Sequence, residues 1–186
     1  MSGVLQSIRQ RRSIRTFKPQ QISDDNLGQI IEAGQFAPSA RNEQPCHFTV
    51  VQNKELQAKI NQVIQKTFLN SGDPVFVERA KADNFSPFYH APTLIIVSAD
   101  AKVVAPEADS SLALGNMFMA AYALGIGSVW IHSLRSLFDT EEGKALNKEL
   151  KIPAGYVIYG SGAFGYNSGI APAAAPRKLG TVTFIK

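Results

Sequence analysis

Cysteine is almost absent from this chain: Cys46 is the only one among 186 residues. A single thiol excludes an internal disulfide, and it excludes every metal site that needs paired thiolates. The composition therefore indicates a protein of the reducing cytoplasm. The three histidines, His47, His90 and His132, lack the spacing of metal ligands, so we expect no metal site.

Long apolar runs are also missing. The longest nearly apolar stretch covers residues 112–124, which is shorter than the roughly 20 residues that a membrane-spanning helix needs. The first residues lack the apolar centre of a secretory signal peptide. Because 45% of the residues are hydrophobic and 18% are charged, the composition is that of a globular protein. We expect one domain over residues 1–186 and no membrane partner.

Acidic residues are missing from both ends of the chain. All fifteen lie between Asp24 and Glu149, whereas the first 23 and the last 37 residues carry only basic groups, namely Arg9, Arg11, Arg12, Arg15, Lys18, Lys151, Arg177, Lys178 and Lys186. Chain ends often meet in single domains, so the two basic ends could form a cationic pocket for an anion. Two solvated basic tails are the alternative. A nucleic-acid partner is disfavoured, because few aromatic residues are interleaved and no recognised fingerprint is present.

Alternating helical and strand patterns predict an α+β sandwich. The expected helices cover residues 4–11, 23–34, 54–69, 107–124 and 139–150, and the expected strands cover residues 47–51, 93–97, 128–132, 155–160 and 181–185. Residues 70–92 are rich in turn formers, and we expect an irregular flap there. Residues 168–176 predict an extended arm, which could add the last strand to a neighbouring sheet edge.

The helix predicted over residues 107–124 is apolar on nearly every face from Leu112 onward, with Asn116 as the clear polar exception. A helix of this kind must be covered on every face. A chain of 20.2 kDa can supply that cover alone, but a dimer interface supplies it more readily.

Two familiar motifs fail in their context. Residues 160–165 read G-x-G-x-x-G after a predicted strand, but a dinucleotide-binding fold needs a helix next and an acid about 20 residues later, and neither follows. These glycines instead indicate a tight turn or close backbone packing. Cys46 and His47 are adjacent, but no third group marks a nucleophilic pair, so we interpret them as ordinary strand residues.

Four residues with hydrogen-bond donors lie close together between a short helix and a loop: Arg11, Arg12, Ser13 and Arg15. Guanidinium groups form planar, charged, bidentate bonds to phosphate and carbonyl oxygens, although surface arginines are an alternative interpretation.

Five segments occur in the order and at the spacing typical of one family: RRSIRTF, APSARNEQPCHF, ALGNMFMAAYALGIGSVWI, KIPAGYVIYGSGAFGY and PRK. Over nearly its whole length the chain resembles the FMN-dependent nitroreductase family.

The resemblance implies a nitroreductase-like three-layer α/β/α sandwich, with a mostly antiparallel central sheet and a C-terminal strand exchanged between subunits. It implies a homodimer that holds FMN at the subunit interface. It also implies NADH or NADPH as the electron donor and a small-molecule acceptor, such as a nitroaromatic compound or a quinone, in a ping-pong mechanism.

By the same resemblance, Arg11 and Ser13 bind the FMN phosphate together with Arg177 and Lys178. Arg12 lies along the ribityl chain, and Arg15 faces the N1/O2 edge of the flavin and tunes it. A loop reaches the flavin of the other subunit through Pro38, Ser39, Ala40, Asn42 and Gln44. A strand and its exit lie along the ring through Trp130, Ile131, His132 and Ser133, and a backbone N–H near His132 or Ser133 donates to N5 or O4. No side chain is implied to be catalytic.

The chain departs from the family pattern at two places. Cys46 stands where the tryptophan after Gln-Pro is usual, and the chain is short, so residues 70–92 are the only candidate lid. Other functions remain open: a specialised flavin enzyme of the same fold (a dehalogenase, a flavin-cleaving enzyme or an enoate reductase) or a non-catalytic FMN-binding protein. A colourless purified protein would favour the nucleic-acid alternative.

Overall fold

The computed structural model describes residues 3–186, and these form six α-helices and four strands. In chain order the elements are α1 (Gly3–Gln10), α2 (Asp24–Gln35), β1 (Cys46–Val51), α3 (Lys54–Leu69), α4 (Pro74–Ala80), β2 (Thr93–Asp100), α5 (Pro106–Ala123), β3 (Gly127–Trp130), α6 (Glu141–Glu149) and β4 (Tyr156–Gly165). Short 3₁₀ segments lie at Ala40–Asn42 and Ser133–Asp139.

The four strands form one sheet in the order β1-β2-β4-β3, and every neighbouring pair is antiparallel. The continuous apolar sequence of β2 is explained by its central position, since its side chains are buried on both faces. Ile95 and Val97 belong to one hydrophobic cluster, and Leu94 and Ile96 belong to the other. The predicted antiparallel sheet is confirmed.

Helices cover both faces of this sheet. On one face, Ile60 and Ile64 of α3 and Leu146 of α6 are buried in a cluster with Leu94 and Ile96 of β2. On the other face, Ile30 of α2 and Leu114 and Met117 of α5 are buried with Ile95 and Val97. The structure is therefore a three-layer α/β/α sandwich, as expected.

Residues 70–92 differ from the predicted irregular flap, because α4 lies within them. Asp73 caps this helix, since its Oδ1 accepts a hydrogen bond of 2.8 Å from the Val75 backbone N–H, and Pro74 occupies the first turn. Phe85 and Phe88, further along, are buried in the core. The turn-forming residues Asp73 and Pro74 therefore begin a helix, whereas the sequence pattern predicted an irregular segment.

The predicted strand over residues 155–160 continues to Gly165, so the glycines of the G-x-G-x-x-G motif lie inside β4. A Cβ atom on Gly160 would lie 2.7 Å from Leu114 Cδ1, and one on Gly162 would lie 2.8 Å from Phe118 Cε1. Close packing of α5 against β4 therefore requires these glycines. The expectation of close packing was right, and that of a tight turn was wrong.

One face of α5 stays open in the single chain. Leu112 is 48% exposed, and Ala108, Asn116 and Ala123 on the same side are exposed as well. Nothing lies within 4 Å of the position that a Cβ atom on Gly115 would take. The described part of the chain thus leaves an apolar helix face uncovered.

Residues 170–186 form an exposed, extended arm. The strand predicted over residues 181–185 pairs with no other described residue. Ile170, Leu179, Phe184 and Ile185 are all more than 80% exposed. Among the described residues, no helix is both long and apolar enough to cross a membrane.

Candidate functional site

The arginine-rich segment lies beside the edge strand β3. Ser13 forms a parallel bridge with Ser128, and the Ile14 backbone N–H donates to the Ser128 carbonyl at 3.0 Å. The Ile14 side chain is buried against Gly127, where a Cβ atom would meet it at 3.0 Å. The apolar residue between the arginines therefore fixes the position of Ser13 and Arg15.

A second anchor holds the end of this segment. Phe17 forms an antiparallel bridge with Asn167, and the Lys18 backbone N–H donates to the Tyr166 carbonyl at 2.8 Å. The Ser168 N–H donates to the Thr16 carbonyl at 3.2 Å. The segment after the arginines therefore pairs with the segment after β4, so the N-terminal basic end meets the beginning of the C-terminal arm.

The positive charge of this segment is not neutralised within the described chain. None of Arg11, Arg12 and Arg15 forms an ion pair with a carboxylate whose side chain the structure describes. Burial lowers the pKa of the Arg11 guanidinium, and the neighbouring charge of Arg12 lowers it further. An anion bound beside Arg11 would offset the repulsion from Arg12, which makes this segment a candidate anion site.

A cavity of about 670 Å³, here called the main cavity, opens at the exit of β3, the strand that the segment pairs with. The exit of β3 forms one wall with Trp130, Ile131, His132 and Ser133, and Arg79 and Tyr89 lie on another. A smaller side cavity of about 490 Å³ shares Arg79 and Tyr89 and contains Arg15. The Arg15 guanidinium lies 5.8 Å from the centre of the Tyr89 ring. The two cavities therefore connect Arg15 with the β3 exit.

Reciprocal hydrogen bonds hold the β3 exit. The Ile131 backbone N–H donates to the Ser161 carbonyl at 2.8 Å, and the Ser161 hydroxyl donates to the Ile131 carbonyl at 2.7 Å. His132 follows as an exposed residue before the 3₁₀ segment. The Trp130 ring packs against Phe118 with 6.4 Å between ring centres. The reciprocal hydrogen bonds and the packing of Trp130 therefore hold this wall of the main cavity in place.

The loop with Pro38, Ser39, Ala40, Asn42 and Gln44 lies at the opposite edge of the sheet, before β1. The Gln44 N–H donates to Ser39 Oγ at 3.0 Å, and Gln44 Nε2 donates to Asn42 Oδ1 at 3.1 Å. Asp109 is 4% exposed, and its Oδ1 accepts the Ala40 N–H at 3.1 Å. This buried carboxylate holds the loop, which lines a cavity of about 640 Å³.

The two halves of the expected site are not adjacent in one chain. Strands β1 and β3 are the outer strands of the sheet, so they lie roughly 14 Å apart at about 4.8 Å per strand spacing. The loop belongs to the β1 edge, and Arg11, Ser13 and Arg15 belong to the β3 edge. A single chain therefore does not bring the loop to the arginines.

Arg177 and Lys178 also stay away from the arginine segment. Both lie on the exposed arm, where Arg177 Nε and Nη2 donate to the Ala175 carbonyl at 3.2 and 2.7 Å. In the described chain neither residue shares a hydrogen bond or a cavity with Arg11 or Ser13. The expected convergence of both chain ends is thus present at Ser168 but not at Arg177.

Sequence reasoning missed three residues near the site: Arg79, Tyr89 and Asp109. Arg79 and Tyr89 lie within residues 70–92, where no helix was expected. The position of Asp109 in an apolar helix was a usable sequence signal. A carboxylate is rarely buried unless it has a hydrogen-bond or charge partner, so this position predicts a buried carboxylate that holds another segment.

Cys46 and His47 do not form a pair, because adjacent strand residues point to opposite faces of the sheet. Cys46 Sγ lies 3.8 Å from Ser110 Oγ, and His47 packs edge-on against Tyr156. Burial raises the pKa of the Cys46 thiol, and the charge of Asp109 raises it further, against a lowering by the Ser110 hydrogen bond. Among the described residues, no group of three or more His, Cys, Asp or Glu could hold a metal ion.

The donor set fits a ligand such as FMN, with a phosphate at one end and a flat aromatic ring at the other. The Arg11 guanidinium and the Ser13 hydroxyl supply a charged and a neutral donor for a phosphate, whereas Arg12 Nη1 already donates to the carbonyls of Arg9 and Arg11 at 2.8 and 2.7 Å. The main cavity has a volume within the usual range for small-molecule sites, and its walls include the aromatic residues Phe68, Phe76, Tyr89 and Trp130. The residues at the β3 edge therefore suit an anionic head group joined to a planar ring.

Comparisons with known proteins agree with this geometry. A protein of Archaeoglobus fulgidus, provisionally named an NADH dehydrogenase/NAD(P)H nitroreductase, is 36% identical over 172 residues, which are 89% of this chain and 86% of that protein. A crystal structure of a nitroreductase with bound FMN from Bacteroides fragilis has 37% identity and a TM-score of 0.94, and the match covers all of both chains. An iodotyrosine deiodinase of Thermotoga neapolitana is 26% identical over 160 residues, which are 80% of this chain and 85% of that protein.

The family profile described as the nitroreductase family matches residues 8–166, which include the arginine segment, the loop before β1 and the β3 exit. The fold, the basic edge and these similarities lead to one conclusion: the chain belongs to the nitroreductase family.

Proposed function

We propose that this protein is an FMN-dependent oxidoreductase that transfers hydride from NADH or NADPH to nitroaromatic compounds, quinones or similar acceptors by a ping-pong mechanism. One observation carries the proposal: an arginine segment without a described carboxylate counterion pairs with the β3 edge of the sheet, and a cavity with aromatic residues in its wall opens where β3 ends. When bound, FMN supplies the atom that accepts and donates hydride.

Each part of the site has a role in this proposal. Arg11 and Ser13 hold the phosphate, and Arg12 lies along the ribityl chain. Arg15 faces the N1/O2 edge of the ring and stabilises negative charge there. A backbone N–H near His132 or Ser133 donates to N5 or O4. Because Ser161 fixes the β3 exit through Ile131, this donor is held in place without help from a catalytic side chain.

A homodimer completes the site. The loop before β1 reaches the flavin of the other subunit through Pro38, Ser39, Ala40, Asn42 and Gln44. The separation of the two sheet edges in one chain supports this placement. The exposed arm crosses to the partner, adds its last strand to a sheet edge there, and delivers Arg177 and Lys178 to a phosphate. The open face of α5 packs in the same interface. The single cysteine supports a cytoplasmic setting.

An absorption spectrum of the purified protein is the first test. Flavin absorption that bleaches under anaerobic NADH or NADPH, and returns when a nitroaromatic compound or a quinone is added, is the expected result. A yellow protein that neither donor bleaches would be a binding protein without turnover, and a colourless protein would contradict the proposal.

Kinetics and mass test the finer statements. A ping-pong reaction gives parallel double-reciprocal lines when donor and acceptor concentrations are varied, whereas intersecting lines contradict it. Gel filtration should give twice the chain mass of 20.2 kDa. Elution at the mass of a single chain would contradict the shared site.

A further inference from the structure

Arg79 occupies a position that the cofactor proposal does not use. It lies in the last turn of α4, and its guanidinium carbon is 5.9 Å from the centre of the Phe68 ring and 5.7 Å from that of Tyr89. Both rings attract the cation through their faces, so they hold a long side chain in one place. The guanidinium is thereby preorganised at the wall that the main and side cavities share.

Arg79 also differs from the basic residues around it because no described carboxylate pairs with its guanidinium. Arg135, which also lines the main cavity, pairs with Glu107 at 2.6 Å. Lys81, two residues after Arg79, pairs with Glu78 at 3.8 Å. Arg79 forms no ion pair among the side chains that the structure describes. It is therefore the basic group of the α4 wall whose charge a ligand could neutralise.

The walls near Arg79 suit an aromatic ligand. The Phe68 and Phe76 rings are stacked with 4.6 Å between their centres, which fixes α4 over the main cavity. Tyr89 and Pro87 continue this apolar surface. A planar ring in the main cavity would contact apolar walls, while a substituent on it could reach the Arg79 guanidinium.

We propose that Arg79 selects acceptors that carry an anionic substituent on an aromatic or quinone ring, such as a carboxylate or a sulfonate. This inference rests on the proposed function, because it assumes that acceptors bind in the main cavity. A guanidinium forms bidentate, charge-assisted hydrogen bonds to a carboxylate, and a neutral analogue leaves those donors unpaired. Arg79 is then a specificity-determining residue, and α4 is the element that presents it.

The test compares 4-nitrobenzoate with its neutral analogue 4-nitrobenzamide, using the FMN-loaded enzyme and saturating donor. In Arg79→Gln, the ratio of kcat/KM for nitrobenzoate to that for nitrobenzamide should fall about tenfold, mainly through a higher KM for nitrobenzoate. Arg79→Lys keeps the charge without the planar fork and should restore part of the ratio. Lys81→Gln removes a positive charge from the same end of α4, outside both cavities, and should leave the ratio unchanged.

Any of three kinetic results would overturn the assignment. One is an unchanged ratio in Arg79→Gln while both acceptors are still reduced. Another is an equal fall in Lys81→Gln, which would indicate a general effect of charge. The third is a higher KM for NADPH but not NADH in Arg79→Gln with an unchanged acceptor ratio, which would assign Arg79 to the donor phosphate.

The FMN content of each variant separates these results from a failure of the proposed function. Arg79→Gln should keep the flavin content and spectrum of the wild type, and a loss of FMN would make Arg79 a cofactor ligand and overturn its role with acceptors. If wild-type protein lacks flavin or oxidises neither donor, the proposed function itself fails.

Discussion

At the scale of single residues, Arg11 combines partial burial with a positive neighbour. Burial and the Arg12 charge both lower its pKa, yet an arginine remains protonated at physiological pH. The protein therefore keeps a charge that it does not neutralise among its described residues. That arrangement is unfavourable for folding alone, and a phosphate bound there would offset the cost, as the proposed function requires.

Replacing Arg11 should weaken FMN binding. A charge-assisted hydrogen bond to phosphate contributes roughly 1.5–3 kcal/mol, so Arg11→Ala should raise the FMN dissociation constant by about 10- to 100-fold. Quenching of FMN fluorescence during titration of flavin-free protein measures this constant. Lys18→Ala is the matched control, since it removes one charge from the same basic end at an exposed residue. Equal dissociation constants for wild type and Arg11→Ala would remove Arg11 from the phosphate site.

Cys46 offers a residue-scale test by pH. Because burial and Asp109 raise its pKa, the thiolate is less populated at pH 8 than that of a free cysteine, whose pKa is about 8.5. We expect the rate of alkylation by iodoacetamide to reach half its maximum above that pH in the folded protein. In urea-unfolded protein the midpoint should return to the ordinary value.

The sign of the linked stability follows from the same shift. A thiol with a raised pKa in the folded state contributes stability below the unfolded pKa, and this contribution is lost as the pH rises through the folded pKa. An alkylation midpoint in folded protein at or below that of the unfolded chain would contradict the raised pKa.

At the scale of elements, local patterns predicted most helices and strands, and they failed where tertiary contacts decide. The Ser23 cap and the apolar spacing of α3 are local signals, and both elements form as predicted. Helix α4 was missed because its seven residues are too few for a clear period, and stacking of Phe76 on Phe68 stabilises it. The 3₁₀ segment Ser133–Asp139 was likewise missed at the start of the predicted helix over residues 139–150.

Gly143 tests how α6 supports the wall of the main cavity. A Cβ atom there would overlap the backbone carbonyl of Leu137, in the 3₁₀ segment that also carries Ser133 and Arg135. Backbone cannot yield as a flexible side chain does, so Gly143→Ala should destabilise the fold by about 2–4 kcal/mol. For a chain of this length we expect Tm to fall by roughly 4–16 °C, measured by circular dichroism.

Gly28 provides the matched control for Gly143. It lies within α2, and nothing lies within 4 Å of the position a Cβ atom would take. Gly28→Ala should therefore raise stability by about 0.5–1 kcal/mol through helix propensity and chain entropy. Similar changes in Tm for the two substitutions would show that the Leu137 contact does not constrain α6.

At the scale of the whole molecule, one chain brings together only part of the site that the sequence predicts. Arg11, Ser13 and Arg15 are brought together with the β3 exit by pairing within one chain. The loop with Ser39 and Gln44 lies at the other sheet edge, and Arg177 lies on a free arm. Hydrophobic periodicity describes the burial of a residue but not which copy of the chain buries it. The family resemblance indicated that the loop acts in trans, and the extended arm and the apolar α5 sequence indicated contact with a second copy.

Truncation of the arm tests that assembly. Residues 170–186 are exposed throughout, so a chain that ends at Gly169 should keep its fold and its far-ultraviolet circular dichroism. If the arm adds a strand to the partner and brings Arg177 to the phosphate, the truncated chain should elute near the single-chain mass and lose FMN. Lys186→Ala, which changes one terminal charge and keeps the arm, should remain a flavin-bound dimer.

A truncated chain that stays dimeric and binds FMN like the wild type would show that the α5 face suffices and that the arm is dispensable. A chain that dissociates while keeping FMN would show instead that the β3 edge holds the cofactor without a partner.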